Sequence, residues 1–304
     1  MRVSKLAGVG LGLLLLHLGL PGSVLAQGGG DIGEEVKKAV ERSVGASVSS
    51  SVAESLSRSI VSEGLRVEPR TTVFFNPFYN HTKGDFDFGD FDADTGGGTV
   101  GGLFKLNDFT LLHGALSGSH TSVDASAGGF DVESKAHLID GRLGSTFVVL
   151  NTQPAKAWLT LEGGLTNFDA EDLDDIWTWR ASPSVTLSLR AGSVLFEPTV
   201  GFSFSRPFSG VDGDKDTTIL FNPGFALKYR GEVFRPQLNF LYSKIIHPGS
   251  VADNDDGVIS VGPEVLFAIK PNLLIGGAYN YSTTLTNNID VNSHTVTLEL
   301  RWIF

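Results

Sequence analysis

The sequence has no cysteine in its 304 residues, which excludes a disulfide framework and a thiolate metal site. Basic residues are also in the minority, since 23 lysines and arginines face 34 aspartates and glutamates and the net charge is −11. A chain of that charge is not expected to bind nucleic acid. Long apolar runs are missing after residue 20, so any membrane span in the rest of the chain must consist of strands.

Glycine and phenylalanine are abundant, with 37 and 21 copies against a single methionine. That composition is typical of many strands and turns rather than of packed helices. The mean hydropathy of +0.07 excludes a helical protein with several membrane spans. It is compatible with a transmembrane barrel, because half of the residues of each strand face water.

Residues 1–26 have the pattern of a cleaved signal peptide. Arg2 and Lys5 give a positive start, residues 6–20 are largely apolar, and Ala26 ends a cleavage site. An uncleaved anchor is the alternative, but the apolar run is shorter than the roughly 20 residues of a membrane-spanning helix. We therefore expect this segment to export the protein and to be removed.

Residues 27–65 have a helical period. Apolar residues recur at every fourth position: Ile32, Val36, Val40, Val44, Val48, Val52, Leu56 and Ile60. The pattern predicts one α-helix within residues 31–63, roughly 50 Å long. Small residues fill the gaps, so such a helix is slender enough to lie inside a pore. The alternatives are a helix in the periplasm and a partly disordered linker, because valine and serine are poor helix formers.

Residues 66–304 are predicted to be all β, because apolar and polar residues alternate as in a strand with one apolar and one wet face. In the last strand, Leu300, Trp302 and Phe304 alternate with Glu299 and Arg301. Twelve strands are predicted, at residues 71–81, 97–106, 109–122, 133–149, 156–167, 176–190, 193–206, 217–229, 232–245, 257–269, 272–283 and 291–304.

The connections between these strands alternate in length. Short turns are predicted at 106–108, 151–155, 190–192, 230–231 and 270–272, and longer, mostly acidic loops at 82–96, 123–132, 168–175, 207–216, 246–256 and 284–290. Short turns on one side and long loops on the other are typical of outer-membrane barrels. The predicted fold class is therefore an all-β, transmembrane, antiparallel up-and-down β-barrel of twelve strands, preceded by one N-terminal α-helix.

Six prolines lie on the apolar face of the predicted strands: Pro77, Pro183, Pro198, Pro223, Pro236 and Pro263. Each proline removes one hydrogen bond from the ladder, and proline is usually confined to edge strands or bulges. Because a barrel has no edge, we expect a β-bulge beside each proline.

The end of the chain, with Leu300, Trp302 and Phe304, resembles the C-terminal insertion signal of bacterial outer-membrane barrels. Twelve strands, a preceding helix and this aromatic end together look like the autotransporter β-domain, as do the segments 196–204 and 234–242. The resemblance implies a place in the cell outer membrane, contact with its lipid and lipopolysaccharide, insertion by the barrel-assembly machinery and a helix inside the pore. A passenger domain is not expected, because only residues 27–65 separate the signal peptide from the barrel.

The wet faces of the strands are predicted to place nine charges in the lumen: Arg142, Glu162, Arg180, Glu197, Lys228, Arg235, Glu264, Glu299 and Arg301. Charges of both signs can form salt-linked ladders without catalysis. Among the acidic loops, Asp212, Asp214 and Asp216 resemble part of a calcium loop. The glutamate and glycine that would complete such a loop are missing, so no metal and no cofactor are expected.

Three functions are compatible with the sequence. The first is a non-enzymatic outer-membrane barrel of autotransporter-like build, with the N-terminal helix plugging or constricting the pore. The second is an open diffusion channel for small solutes. The third is a lipid-modifying hydrolase that uses His120 and Ser122, whose His-x-Ser spacing puts both side chains on one strand face, as in outer-membrane lipid hydrolases. No asparagine follows to orient the pair, so this hypothesis ranks last.

Deletion of Phe304, or its replacement by aspartate, should leave export intact but reduce insertion into the outer membrane, because the insertion signal loses its aromatic end. The measurement is the amount of heat-modifiable barrel in the outer-membrane fraction, together with periplasmic degradation products. A normal amount of folded barrel in either variant would contradict the role assigned to this residue.

Overall fold

The computed structural model describes residues 70–86, 89–127, 130–152, 154–170, 175–209, 217–246, 257–285 and 289–304. The predicted signal peptide and the predicted helix within residues 31–63 lie outside these ranges. Among the described residues, no helix is long and apolar enough to cross a membrane.

Twelve strands are present, as the alternation predicts. They are β1 (Thr72–Phe86), β2 (Gly89–Asn107), β3 (Thr110–Ala127), β4 (Phe130–Asn151), β5 (Ala155–Ala170), β6 (Ile176–Ala191), β7 (Val194–Ser209), β8 (Thr218–Tyr229), β9 (Phe234–Ile246), β10 (Gly257–Lys270), β11 (Leu273–Leu285) and β12 (Ile289–Ile303).

The sheet closes on itself. Each strand pairs antiparallel with its neighbours in the chain, and β1 also pairs with β12, from Thr72↔Ile303 to Phe86↔Ile289. The predicted up-and-down barrel of twelve antiparallel strands is therefore confirmed.

Side chains alternate between a buried inner face and an exposed outer face. In β12, Thr297, Glu299 and Arg301 are at most 6% exposed, whereas Leu298 and Trp302 are 62% and 48% exposed. The same alternation gives the barrel an outer apolar belt, which includes Phe75, Val100, Leu116, Ile139, Leu143, Leu161, Leu165, Val200, Leu298 and Leu300. A barrel that is embedded in lipid has this arrangement, with an apolar outer surface and a polar interior.

The two ends of the barrel differ. At the short-turn end, the strands are joined by residues 108–109, 152–154, 192–193, 230–233 and 271–272. Gly192 has a φ of 61°, a left-handed conformation that glycine adopts without strain. The opposite end, called here the long-loop end, carries the connections at 171–175, 210–217, 247–256 and 286–288.

Two of the predicted long loops are wrong. The segments 82–96 and 123–132 are mostly strand, and only residues 87–88 and 128–129 separate β1 from β2 and β3 from β4. The reason is that the alternation continues beyond the apolar belt, since buried Phe91 and Ala93 alternate with exposed aspartates. The acidic composition favoured a loop, but here the acidic residues form the wet outer face of protruding strands.

The expected bulges beside the prolines are also wrong. Each of the six prolines keeps its pairing with one neighbouring strand, as in Pro77↔Gly98 and Pro223↔Val200. At Pro77 the pairing with β12 is interrupted, yet Phe75↔Leu300 and Phe78↔Thr297 on either side follow one register. The missing donor thus costs hydrogen bonds on one side of the strand, and the ladder resumes without an extra residue.

Epitope tags test the orientation of the barrel. Tags inserted at Gly213 or Asp255, in the connections of the long-loop end, should be labelled on intact cells. Tags at Gly192 or Gly231, at the short-turn end, should be labelled only after the outer membrane is permeabilised. Labelling of the short-turn tags on intact cells would reverse the orientation.

Candidate functional site in the barrel interior

The inner face near the short-turn end carries a group of interacting charged side chains, called here the lower ion network. The Lys228 ammonium lies 2.8 Å from a Glu197 carboxylate oxygen, and the Ser188 hydroxyl donates to Glu197 at 2.9 Å. The Arg301 guanidinium contacts Glu299 at 2.5 Å and Glu264 at 3.1 Å. Gln237 donates to Glu264 and extends the network to β9. These side chains are almost inaccessible to solvent, so their charges are compensated by one another and not by water.

The contact between Arg301 and Glu264 bridges two strands that are not neighbours. Arg301 belongs to β12 and Glu264 to β10, and β11 runs between them. At this level β11 presents Gly276, where a Cβ atom would lie 2.1 Å from the carbonyl oxygen of Val265. A glycine at this position therefore allows close strand packing under the ion pair and leaves room for the arginine to cross.

A second group, the upper ion network, lies higher on the inner face of β4 to β6. Asp140 is its centre: it accepts from Arg142 at 2.5 Å, from Arg180 at 2.7 Å and from the Thr166 hydroxyl at 2.7 Å. Glu162 lies 3.7 Å from Arg142 and 3.6 Å from the His113 ring. Two arginines and two carboxylates thus compensate one another in a buried cluster.

The inner face of β1 to β3 is uncharged across three neighbouring strands. In the described ranges Thr72–Thr82, Phe91–Leu103 and Leu111–Val123, the inward positions carry no aspartate, glutamate, lysine or arginine. Phe74 lies over Gly101 and Phe78 over Gly97, since a Cβ atom on either glycine would meet the ring within 2.6 Å. Phe74 also joins a buried apolar cluster with Leu103, Leu111 and Trp158. We call these inward faces the neutral sector.

The nine charges predicted for the lumen lie as follows. Arg142, Glu197, Lys228, Glu264, Glu299 and Arg301 are buried, and Glu162, Arg180 and Arg235 are partly buried. All of the buried ones except Arg142 belong to the lower ion network through direct ion pairs, and Arg142 joins Glu162 and Arg180 in the upper one. The Nε atom of Arg235 donates to the Gly231 carbonyl in the turn between β8 and β9. The barrel therefore sorts most of the predicted charges into two groups at different heights.

Sequence reasoning missed Asp140 and His113, although both share the parity of predicted inward residues. It also missed the inward rings of Phe74 and Phe78, because β1 has phenylalanines on both parities. One signal was available: the glycine pairs of β2 leave space opposite large side chains of β1. Reading that signal requires the register Phe74↔Gly101 and Phe78↔Gly97, which the sequence does not provide.

His120 and Ser122 share the outer face of β3, as their spacing requires. Among the described residues, however, no hydrogen bond joins them, and the His120 ring packs on His137 with centroids 4.6 Å apart. A serine nucleophile needs its base within hydrogen-bond reach, so this geometry does not favour the hydrolase hypothesis.

Only some of the other predicted sites lie within the described residues. Leu300, Trp302 and Phe304 lie on the outer face, with the two aromatic rings stacked at 6.4 Å. Asp212, Asp214 and Asp216 lie outside the described residues. Within the described ranges, no group of three or more histidine, aspartate or glutamate side chains is placed to hold a metal ion.

Comparison with solved structures identifies the type of barrel. The translocator domain of the autotransporter NalP from Neisseria meningitidis superposes with a TM-score of 0.55 and 11% identity, over 84% of this chain and 98% of that chain. The transport unit of the autotransporter AIDA-I from Escherichia coli gives 0.55 and 12%, over 79% and 92%. The β-domain of the Bordetella autotransporter BrkA gives 0.52 and 14%, over 77% and 100%.

At these identities the likeness is one of fold, and the chain has the fold of an outer-membrane barrel of the autotransporter translocator type. The resemblance expected from the sequence is thereby confirmed at the level of the fold. No family model and no curated protein matches the sequence.

Replacement of Arg301 by methionine should destabilise the barrel, because Glu264 and Glu299 lose their shared cation in a buried site. The expected loss is about 3–5 kcal/mol, measured as a shift of the urea midpoint of the heat-modifiable band in detergent. Arg190→Met, at an exposed arginine of the same barrel end, is the matched control and should change the midpoint little. Adding Glu264→Gln and Glu299→Gln to Arg301→Met should restore most of the stability. An unchanged midpoint in Arg301→Met alone would show that the lower ion network does not depend on this residue.

Proposed function

We propose that the protein is a non-enzymatic outer-membrane barrel of autotransporter-like build whose lumen is closed by its own N-terminal segment, residues 31–63. The short-turn end then faces the periplasm and the long-loop end faces the outside. The observation that carries the proposal is the burial of many polar side chains of the lumen lining, among them Asn76, Glu264 and Arg301.

The dimensions of the barrel make that burial informative. Twelve strands about 4.8 Å apart and tilted by about 40° close into a cylinder roughly 24 Å across. Inward side chains leave a bore of about 10–12 Å, which is the diameter of a helix with its side chains. An open bore of that width would wet its lining, yet Arg301, Glu264 and Asn76 are 1%, 3% and 0% exposed.

Unpartnered polar atoms on the inner face also favour an occupant. Asn76 is fully buried, and among the described residues neither its amide nitrogen nor its amide oxygen has a hydrogen-bond partner. Three further buried atoms have no hydrogen-bond partner among the described residues: the Asn222 amide oxygen, one Glu299 oxygen and one Arg142 nitrogen. Buried polar groups are almost always satisfied, so a polar partner in the lumen is expected for these atoms.

The lumen lining has a charged part and an uncharged part, and the N-terminal segment contains both charged residues and a series of valines. The valine series of residues 31–63 would be poorly placed against a uniformly charged wall. The neutral sector offers an uncharged surface that includes Phe74, Phe78 and Leu103. The two ion networks offer charges to Glu34, Lys37, Lys38, Glu41, Arg42, Glu54 and Arg58. The complementarity of both surfaces supports closure by this segment over docking in the periplasm.

The partners proposed for this function follow from the outer apolar belt and the fold. The belt would contact the lipid and lipopolysaccharide of the outer membrane, and the barrel-assembly machinery would insert the chain. Enzymatic activity is not part of the proposal. An open channel for small solutes is the alternative that the following experiment separates.

Planar-bilayer conductance of the mature barrel should rise clearly when residues 27–63 are deleted, because the bore is then open to ions. The control is the same deletion followed by addition of the free 27–63 peptide, which should lower the conductance again. Equal conductance with and without the segment would instead identify an open channel with a peripheral helix.

Cross-linking tests the position of the segment, and the absence of native cysteine makes the background clean. Thr99→Cys places a thiol on the inner face and Val100→Cys places one on the outer face of the same strand, at 2% and 48% exposure of the native side chains. Each is combined with a single cysteine at Ser43, Ser47, Ser51 or Ser55. Closure predicts a bismaleimide cross-link to residue 99 from at least one position and none to residue 100. Absence of cross-links to residue 99 from all four positions would contradict it.

A further inference from the structure

The histidines of the barrel are distributed in an unusual way. Of the five in the described residues, four lie on the outer face and form two pairs in which the residues are directly opposite on adjacent strands: His120↔His137 on β3 and β4, and His81↔His294 on β1 and β12. Directly opposite residues of an antiparallel pair have Cβ atoms about 4.5–5.5 Å apart. Two imidazoles at that separation can bind one metal ion between them, because metal–nitrogen bonds are about 2 Å long.

The His120/His137 pair brings two imidazole rings close together on the outer face. Both side chains are exposed, and their ring centroids are 4.6 Å apart with an interplanar angle of 39°. Neither ring makes a hydrogen bond or an ion pair with any other residue of the described ranges. Within the described ranges the imidazole nitrogens are therefore not held by competing partners.

The surroundings leave the pair open and favour a cation. On β2, the residue opposite His120 is Gly96, where a Cβ atom would meet nothing within 4 Å. On β5, the residue opposite His137 is Asp169, an exposed carboxylate on the same outer face. An ion can therefore approach the two imidazoles from the side of Gly96, and a negative charge at Asp169 lies on their other side.

The row lies where the outer apolar belt ends. Ile139, two residues from His137 along β4, is 56% exposed and belongs to the belt, whereas Lys135, two residues in the other direction, is polar. The pair is consequently on the long-loop side of the belt, at the level where a barrel in lipid meets water. Metal ions in the aqueous phase can reach it without entering the bore.

We propose that His120 and His137 form a surface site for a first-row divalent transition metal. Copper(II) is the tightest expected ligand among these ions, followed by nickel(II) and zinc(II) in the order usual for imidazole sites. Water fills the remaining coordination positions. The site is on the outer wall, so it is independent of whether the lumen is closed.

The second histidine pair provides the matched control within the same molecule. The His81 Nδ1 atom lies 2.9 Å from an Asp94 oxygen, and the His294 Nδ1 atom lies 2.7 Å from the Tyr279 hydroxyl. The His294 ring also packs on Tyr281, with centroids 5.2 Å apart. Each ring of this pair is thus held by another side chain, and replacing His294 should not affect copper binding at the first pair.

The experiment uses the mature chain, refolded in detergent and purified without a polyhistidine tag, and titrates it with copper(II) alone. Calorimetry gives the affinity, and electron paramagnetic resonance reports the nitrogen ligands of the bound ion. His120→Gln and His137→Gln should each weaken binding by about tenfold or more and remove the two-nitrogen signature, because one imidazole is lost. His294→Gln should keep the affinity and the spectrum of the native chain.

Heat-modifiable migration of every variant shows that it has folded, so weak binding is not a result of misassembly. Copper binding that is unchanged by His120→Gln and by His137→Gln would overturn the proposal. The proposal would also be wrong if His294→Gln abolished binding while the two β3/β4 variants retained it, because the ion would then lie at the other pair.

Discussion

The pairing of β1 with β12 is the constraint on which the rest of the structure depends. Backbone groups in hydrocarbon have no water to bond, and each unsatisfied group costs several kcal/mol. A sheet of twelve strands meets that requirement only when its first and last strands pair along their length, as Thr72↔Ile303 to Phe86↔Ile289 do here. Closure then fixes the bore, separates an inner from an outer face and brings residues distant in the chain into one lumen. The ion pairs, the neutral sector and the outer apolar belt are all consequences of that closed ladder.

Pairing on both sides of each strand explains how the prolines are tolerated. The five successive strands with prolines, β6 to β10, each pair with two neighbours in the chain. In the closed barrel every strand has two partners, and a proline interrupts only one of them: Pro263 keeps its pairing with Leu238 while the pairing with β11 is broken beside it. The rest of each ladder holds the register. This is why the interruption does not require the extra residue of a bulge.

The number of strands and the fold class could be predicted from the sequence, because a period of two is a local property that each strand carries by itself. The interior could be predicted only in part. Arg301 and Glu264 have the right parity, but their contact depends on the glycine of an intervening strand, and only the register shows that Gly276 stands there. The inward direction of the Phe74 and Phe78 rings depends in the same way on register, because it places glycines of β2 opposite them. The predicted β1 and β2 are too short, because acidic side chains indicate exposure to solvent but do not determine whether the backbone is extended.

The ion networks raise the question of why a barrel keeps charges inside at all. Desolvation offsets most of what buried ion pairs contribute, so an apolar lining would be about as stable once the barrel is closed. A strand that is apolar on both faces, however, has no period of two to decide which face meets the lipid. With Glu299 and Arg301 in place, a slip of β12 by one residue would turn both charges into the lipid and separate Arg301 from Glu264. We infer that the lower ion network contributes chiefly to the choice of register of β10, β11 and β12, because Arg301 meets both Glu264 and Glu299 in the alignment seen here.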